Sequence, residues 1–229
     1  MKISFFGLDL PEGKIKYNDE IIIKLTEKFT PKKISPFFAE FKKEDFINAD
    51  CIVVAKDQVL DFLIMDMEKV DTRIANSNDQ AEKAALLKCQ QNLEKEVPAC
   101  DMDFSAEEYI KIKELAPLSL KPTLFVDGEV EINDLIAKAF EKAGMMFFYT
   151  AGKQEVRSWP VKKGSDAVTC AGKIHSDLAR GFIKAEIVNF KDFEAVHNMQ
   201  EAKAAGFVKL VDRDYIIQYG DMLDIRFNV

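Results

Sequence analysis

Gly7 to Ile15 carries two glycines and a lysine just after a short apolar run, the residue types from which a phosphate-binding loop is made, together with two carboxylates. Such a loop needs the spacing G-x-x-x-x-G-K-[ST]. Successive backbone N–H groups wrap the phosphates, the lysine neutralises them and the hydroxyl ligates magnesium. Here five residues separate Gly7 from Gly13, Pro11 removes a donor, Asp9 and Glu12 put carboxylates where phosphate oxygens would sit, and Ile15 cannot ligate a metal. The spacing predicts an ordinary strand-to-loop connection with Lys14 facing solvent. The alternative is an unconventional site for ATP or GTP with magnesium, using Gly13, Lys14 and Asp127. Apart from that alternative, no catalytic residue, cofactor or metal site is expected.

Other chemistries are no better supplied. Cys51, Cys89, Cys100 and Cys170 have no C-x-x-C spacing and only His175 and His197 for company, which predicts reduced thiols and argues against zinc. His175 ends a helical pattern, where an imidazole more often hydrogen-bonds a carbonyl or Asp177 than catalyses. Lys162, Lys163, Lys173, Arg180 and Lys184 lie around a helix and the following strand, with Trp159 and Phe182 nearby in sequence. They could meet RNA by phosphate contacts and stacking. Glu155, Asp166, Asp177 and Glu186 interleave with them, so a solvated mixed-charge face competes with that reading. The formal net charge of -7 excludes a whole-protein cationic field, and no DNA partner is expected. No stretch approaches a membrane span or a signal peptide, which predicts a cytoplasmic protein without a membrane partner.

These residues must be placed by alternating strands and helices. A first strand covers Met1 to Leu8, an amphipathic helix Asn18 to Phe29 stops before Pro31, and a second strand runs from Ile34 to Phe41. Glu44 to Ala49 reads as a short helix or turn, and Asp50 to Ala55 as a buried strand. From Val59 to Val97 an apolar stripe (Leu63, Met67, Val70, Ile74, then Leu86, Cys89, Leu93) is broken by Asn76 to Asp79, the pattern of an antiparallel, coiled-coil-like helical hairpin. Its stripe serves either to pack one helix on the other or to dock a protein partner on segment 59–97. Ser105 and Glu108 form a capping box for a helix through Leu115. Lys121 to Val126 is another buried strand and Ile132 to Lys142 another helix. In the last third, Phe147 to Trp159 is strand-like, and Phe182 to Phe190 is β-rich between helical patterns at Ala167–Leu178 and Asp192–Ala205. Tyr215 to Tyr219, Gly220-Asp221 and Met222 to Val229 read as a hairpin.

Phe148 to Gly152, Glu155 to Arg157, Trp159, Ala171 to Asp177, Gly181 to Glu186, Asp214 to Gln218, Gly220-Asp221 and Arg226 to Val229 together resemble the C-terminal TGS (β-grasp) domain of the YchF, or Obg-like ATPase, family. That family implies a P-loop-type (Rossmann-like) α/β domain interrupted by a helical insertion, preference for ATP over GTP, and association with ribosomes. Set beside its pattern, the phosphate loop is altered at Gly7 to Ile15. The D-x-x-G magnesium switch is missing near Phe37 to Phe41, and Asp127 to Glu131 stands where a base-reading N-x-x-E would follow Lys121-Pro122. The resemblance therefore implies an α/β fold with a degenerate nucleotide-binding-like domain at 1–144, an inserted helical region at 59–117, and a TGS domain at 145–229. The expected function is non-catalytic binding or regulation, with ribosome or RNA as partner.

Overall fold

The computed structural model describes residues 1–228, so Val229, the last residue of the expected terminal strand and domain, lies outside the described residues. The chain divides into two compact units, residues 1–15 with 39–143, and residues 16–38 with 144–229. Segment 16–38, read from the sequence with the first domain, thus groups with the last third of the chain.

The first unit is built on a five-stranded sheet ordered β2-β4-β1-β5-β6. Its strands are β1 (Lys2–Phe6), β2 (Gly13–Lys16), β4 (Phe38–Lys43), β5 (Cys51–Ala55) and β6 (Thr123–Val126). β1 lies parallel to β4 and β5, and β5 parallel to β6. Every residue of β5 is buried, as its unbroken apolar run requires when both faces of a parallel sheet are covered. Ile52 and Val54 pack into one core with Phe62, Leu63, Leu86 and Leu93. These come from α2 (Val59–Asn76) and α3 (Gln80–Leu93).

Arg73 pairs with Glu82 and Asp71 with Gln90, partners that step away from the 77–79 turn as only antiparallel helices allow. That turn is specified locally: Asp79 caps α3, and Ser77 donates to the Glu82 carboxylate. α4 (Ala106–Leu115) opens with the capping box of Ser105 and Glu108. Fully buried Asp66 accepts from the backbone N–H groups of Leu118 and Ser119 at 2.6 and 2.8 Å, fixing the turn after α4 to α2. α5 (Ile132–Lys142) buries Leu135, Ile136, Ala139 and Phe140.

The second unit holds a six-stranded sheet ordered β10-β9-β11-β7-β8-β3. The strands are β3 (Lys33–Ser35), β7 (Met145–Ala151), β8 (Glu155–Lys162), β9 (Phe182–Asn189), β10 (Lys209–Val211) and β11 (Asp221–Phe227). β7 and β8 form an antiparallel hairpin. On β7, Met146 and Phe148 point into a core with Trp159, Val161 and, from α6 (Ala167–Ile174), Cys170 and Ala171. The alternate residues serve another set of partners. Phe147 stacks on Tyr17 at 5.8 Å and Tyr149 meets the start of α1 (Glu20–Phe29).

Three sequence expectations are corrected. The run 34–41 is not one strand: Pro36, which has no N–H to give a ladder, lies between β3 and β4, and the two belong to different sheets. Tyr215 to Tyr219 does not form a hairpin with β11, because β11 pairs with β9 on one edge and begins beside β7 on the other. Instead the Asp221 carboxylate accepts from the Gln218 N–H and the Asn189 amide, closing a turn in which Gly220 has φ +84°. The two helical patterns are each split. α6 breaks at His175 before α7 (Ser176–Arg180), and α8 (Phe190–Phe193) is separated from α9 (Met199–Ala204).

Candidate functional site

In a parallel sheet, ligands sit beyond the carboxyl ends of the strands, where loops and helix N-termini supply donors. In the first unit that edge is formed by Gly7 after β1, Lys56 after β5 and Asp127 after β6. Gly7 has φ +71°, and a Cβ there would lie 2.6 Å from Gln58 Cγ and 3.0 Å from Ala55 Cβ. The Gln58 side chain thus lies hard against the loop that follows β1. Lys56 and Asp127 form an exposed ion pair at 3.1 Å, so Asp127 already has a cationic partner.

The loop itself leads into strand β2 and not into a helix. Glu12 accepts from the Lys43 N–H at 3.2 Å, tying the loop to the end of β4. Gly13 begins β2 with φ +113° in open space, and Lys14 is exposed on that strand. Gly13 and Lys14 therefore lie at one edge of the sheet and Asp127 past the other. Four strand spacings separate them, roughly 19 Å. No single phosphate could touch both. A phosphate cradle draws on several aligned N–H groups with a helix behind them, and the element that follows this loop is a strand. Among the described residues, no group of three or more His, Cys, Asp or Glu side chains could hold a metal ion. No helix of the described residues is long and apolar enough to cross a membrane.

In the second unit the five basic residues fall on several elements. Lys162 ends β8, Lys163 follows it, Lys173 is on α6, Arg180 ends α7 and Lys184 is on β9. Arg180 pairs with Asp177 at 2.9 Å and Lys184 with Asp212 at 2.7 Å, while Lys162 and Lys173 are exposed. Strands β8 and β9 are separated by β7 and β11, so the sheet does not itself draw Lys162 and Lys184 together. His175 caps α7: its Nδ1 accepts from the Asp177 N–H at 3.2 Å. Trp159 is buried, stacked on Phe148 at 6.2 Å, with its indole N–H donated to Thr150 Oγ1. All four cysteines are free, and burial pushes the Cys51, Cys89 and Cys170 thiols up to about 12.

Two side chains have distant partners that no local sequence signal gives. The first is Asp19, 3% exposed, which caps α1 by accepting from the Ile21 N–H and also accepts from the Tyr149 hydroxyl at 2.6 Å across 130 residues of chain. Burial raises its carboxyl above the ordinary value, against the lowering effect of those hydrogen bonds. The second is Glu186, on the buried part of β9. Lys203 at 2.6 Å and Arg226 clamp it and hold its carboxyl below the ordinary range.

Comparison with known proteins gives a consistent result. The family model YchF-GTPase_C, described as a protein of unknown function (DUF933), matches residues 145–228. The chain is 28% identical over 333 residues to the ribosome-binding ATPase YchF of Bacillus subtilis, covering 98% of this chain and 91% of that protein. That match is longer than the 229-residue chain, so it skips stretches of the relative. Against the ribosome-binding ATPase YchF of Mycoplasma genitalium, identity is 31% over 173 residues, covering 73% of this chain and 45% of that protein. Human Obg-like ATPase 1 is 33% identical over 145 residues, covering 62% of this chain and 37% of that protein. The chain thus spans less than half the length of the latter two relatives. Its fold resembles the structure of the Schizosaccharomyces pombe YchF GTPase, with a TM-score of 0.76 at 19% identity over 96% of this chain and 88% of that one.

Proposed function

The chain belongs to the YchF/Obg-like ATPase family, and from that premise we propose that it is a ribosome-associated binding or regulatory protein that does not hydrolyse nucleotide. Residues 145–229 are its TGS domain, and helices α2 and α3 correspond to the family's helical insertion. The observation that carries the non-catalytic reading is the path of the chain after β1. A phosphate-binding loop hands its lysine to the first turn of a helix, whereas Lys14 stands on β2 and Gln58 packs against Gly7. The ribosome is favoured as partner because the matched Bacillus and Mycoplasma relatives bear that name. In this reading Lys162 and Lys173, with Lys163, Arg180 and Lys184, make the phosphate contacts.

The purified protein is expected in the pellet when ribosomes are sedimented at low salt and in the supernatant at high salt. Lys162→Glu combined with Lys173→Glu should lower the bound fraction about tenfold. Protein that stays in the supernatant at low salt removes the ribosome reading. Titration with fluorescent ATP and GTP plus magnesium should give no saturable micromolar binding. Saturable binding abolished by Lys14→Ala would instead establish the alternative, a nucleotide-binding enzyme with an unconventional phosphate site.

A scaffold role for 59–97 has one observation behind it. Leu60, Ile64 and Leu87 are exposed at 50%, 40% and 43% on α2 and α3, outside the shared core.

A further inference from the structure

A groove of about 510 Å³ opens in the second unit at the end of β7. One wall is the tip of the β7–β8 hairpin, residues 150–155, and the other is β11 from Met222 to Ile225 with Phe227 beyond. Ile174, Leu178 and Met199 complete an apolar lining from α6, α7 and α9. The groove arises from register. β11 pairs with β9 from Asp221 to Phe227, but meets β7 only at Met222 opposite Tyr149. β7 then turns back at Gly152 while β11 runs on, so from Leu223 onward one edge of β11 faces the groove with no described partner strand.

We infer that this groove receives an extended peptide segment of a protein partner, which adds as a strand to the free edge of β11. A strand edge presents N–H and C=O groups at a fixed repeat that an extended backbone satisfies in succession. The apolar lining takes alternate side chains of such a peptide. Charge fixes its ends: exposed Lys153 on the hairpin tip and exposed Asp224 on β11 pair with no described residue, so an acidic residue of the peptide faces Lys153 and a basic one faces Asp224. Glu155 is engaged, accepting from Ser35 at 2.5 Å and pairing with Lys33 at 3.0 Å. One cation against two carboxylates also disfavours a polyanion, which sets this groove apart from a nucleic-acid surface.

The test uses the full chain and a displayed library of random ten-residue peptides. Selection should enrich alternating apolar residues flanked by one acidic and one basic end. A synthetic peptide of the enriched sequence should slow hydrogen exchange of the amides in 223–227. Lys153→Glu and Asp224→Lys, both on exposed side chains, should each weaken that peptide about tenfold, and the double exchange should reverse the preferred order of end charges. The inference is overturned by a library that yields no enrichment, by a peptide that binds without protecting 223–227, or by a single-stranded RNA decamer that protects those amides instead.

Discussion

Asp19→Ala should lower the unfolding free energy by about 2–3 kcal/mol, the sum of a lost helix cap and a buried tyrosine hydroxyl deprived of its acceptor. The residue is local in sequence to α1 but joins α1 to the centre of β7, where Tyr149 is fully buried. Asn at the same place keeps one acceptor oxygen for the Ile21 N–H but puts a donor NH2 where the second carboxylate oxygen accepts from Tyr149, so Asp19→Asn should cost about 1–2 kcal/mol near neutral pH, less than Asp19→Ala. The pair of variants separates the helix cap from the tyrosine contact.

Their pH dependence gives a further check. Burial raises the Asp19 carboxyl in the folded protein, so the native state binds its proton more tightly than the unfolded chain does. Above the ordinary carboxyl value, the contribution of Asp19 therefore grows as pH falls through the folded value. Urea unfolding of wild type and Asp19→Asn should diverge in favour of wild type on acidification. A constant difference, or one that shrinks, would rule out the raised carboxyl.

Gly7→Ala should be comparably damaging, at about 2–4 kcal/mol. A left-handed backbone at φ +71° costs an alanine roughly 1–2 kcal/mol, and forcing a methyl against Gln58 and Ala55 adds roughly 1–3 kcal/mol of overpacking. Gly128 is the internal control, since its φ of +65° is close to that of Gly7 and a Cβ there meets nothing within 4 Å. Gln58→Ala placed in the Gly7→Ala background should restore part of the loss, as contacting residues couple. Denaturation midpoints that put Gly7→Ala no lower than Gly128→Ala would mean that Gln58 does not fill the space beside the loop after β1.

Much of the fold was legible because its signals are local. Asp79 and Ser105 open helices where the sequence has caps, the apolar run at Cys51 to Ala55 is a strand buried on both faces, and Val70, Leu86 and Leu93 lie in a common core. What escaped depends on pairing between distant segments. Tyr215 to Tyr219 alternates like a strand, yet the neighbours of β11 are β9 and β7, each remote in sequence. Met222 opposite Tyr149 fixes where the groove opens, and no window of sequence contains both.

The candidate site divides in the same way. The misfit of Gly7 to Ile15 could be read from spacing and from Pro11, whereas the Gln58 contact, the Lys56 partner of Asp127 and the distance from Lys14 to Asp127 required the sheet order. For the basic residues, charge type was visible but pairing was not. Arg180 and Lys184 are engaged by Asp177 and Asp212, and nothing in the local sequence singles out Asp212.

The grouping of segment 16–38 with 144–229 bears on the order in which this chain can fold during synthesis. Residues 1–15 and 39–143 are available once Ala143 has emerged, and can form their sheet with 16–38 as an unpartnered loop. α1 and β3 must then wait for β7 and β8, more than a hundred residues later, before Tyr149 reaches Asp19 and Ser35 reaches Glu155. Closing so long a loop is slow compared with local pairing, so the second unit should be completed last. A fragment limited to 145–228 would lack Tyr17 and Phe37, which pack on Phe147, and Asp19, which accepts from Tyr149, and should be prone to association through that uncovered face.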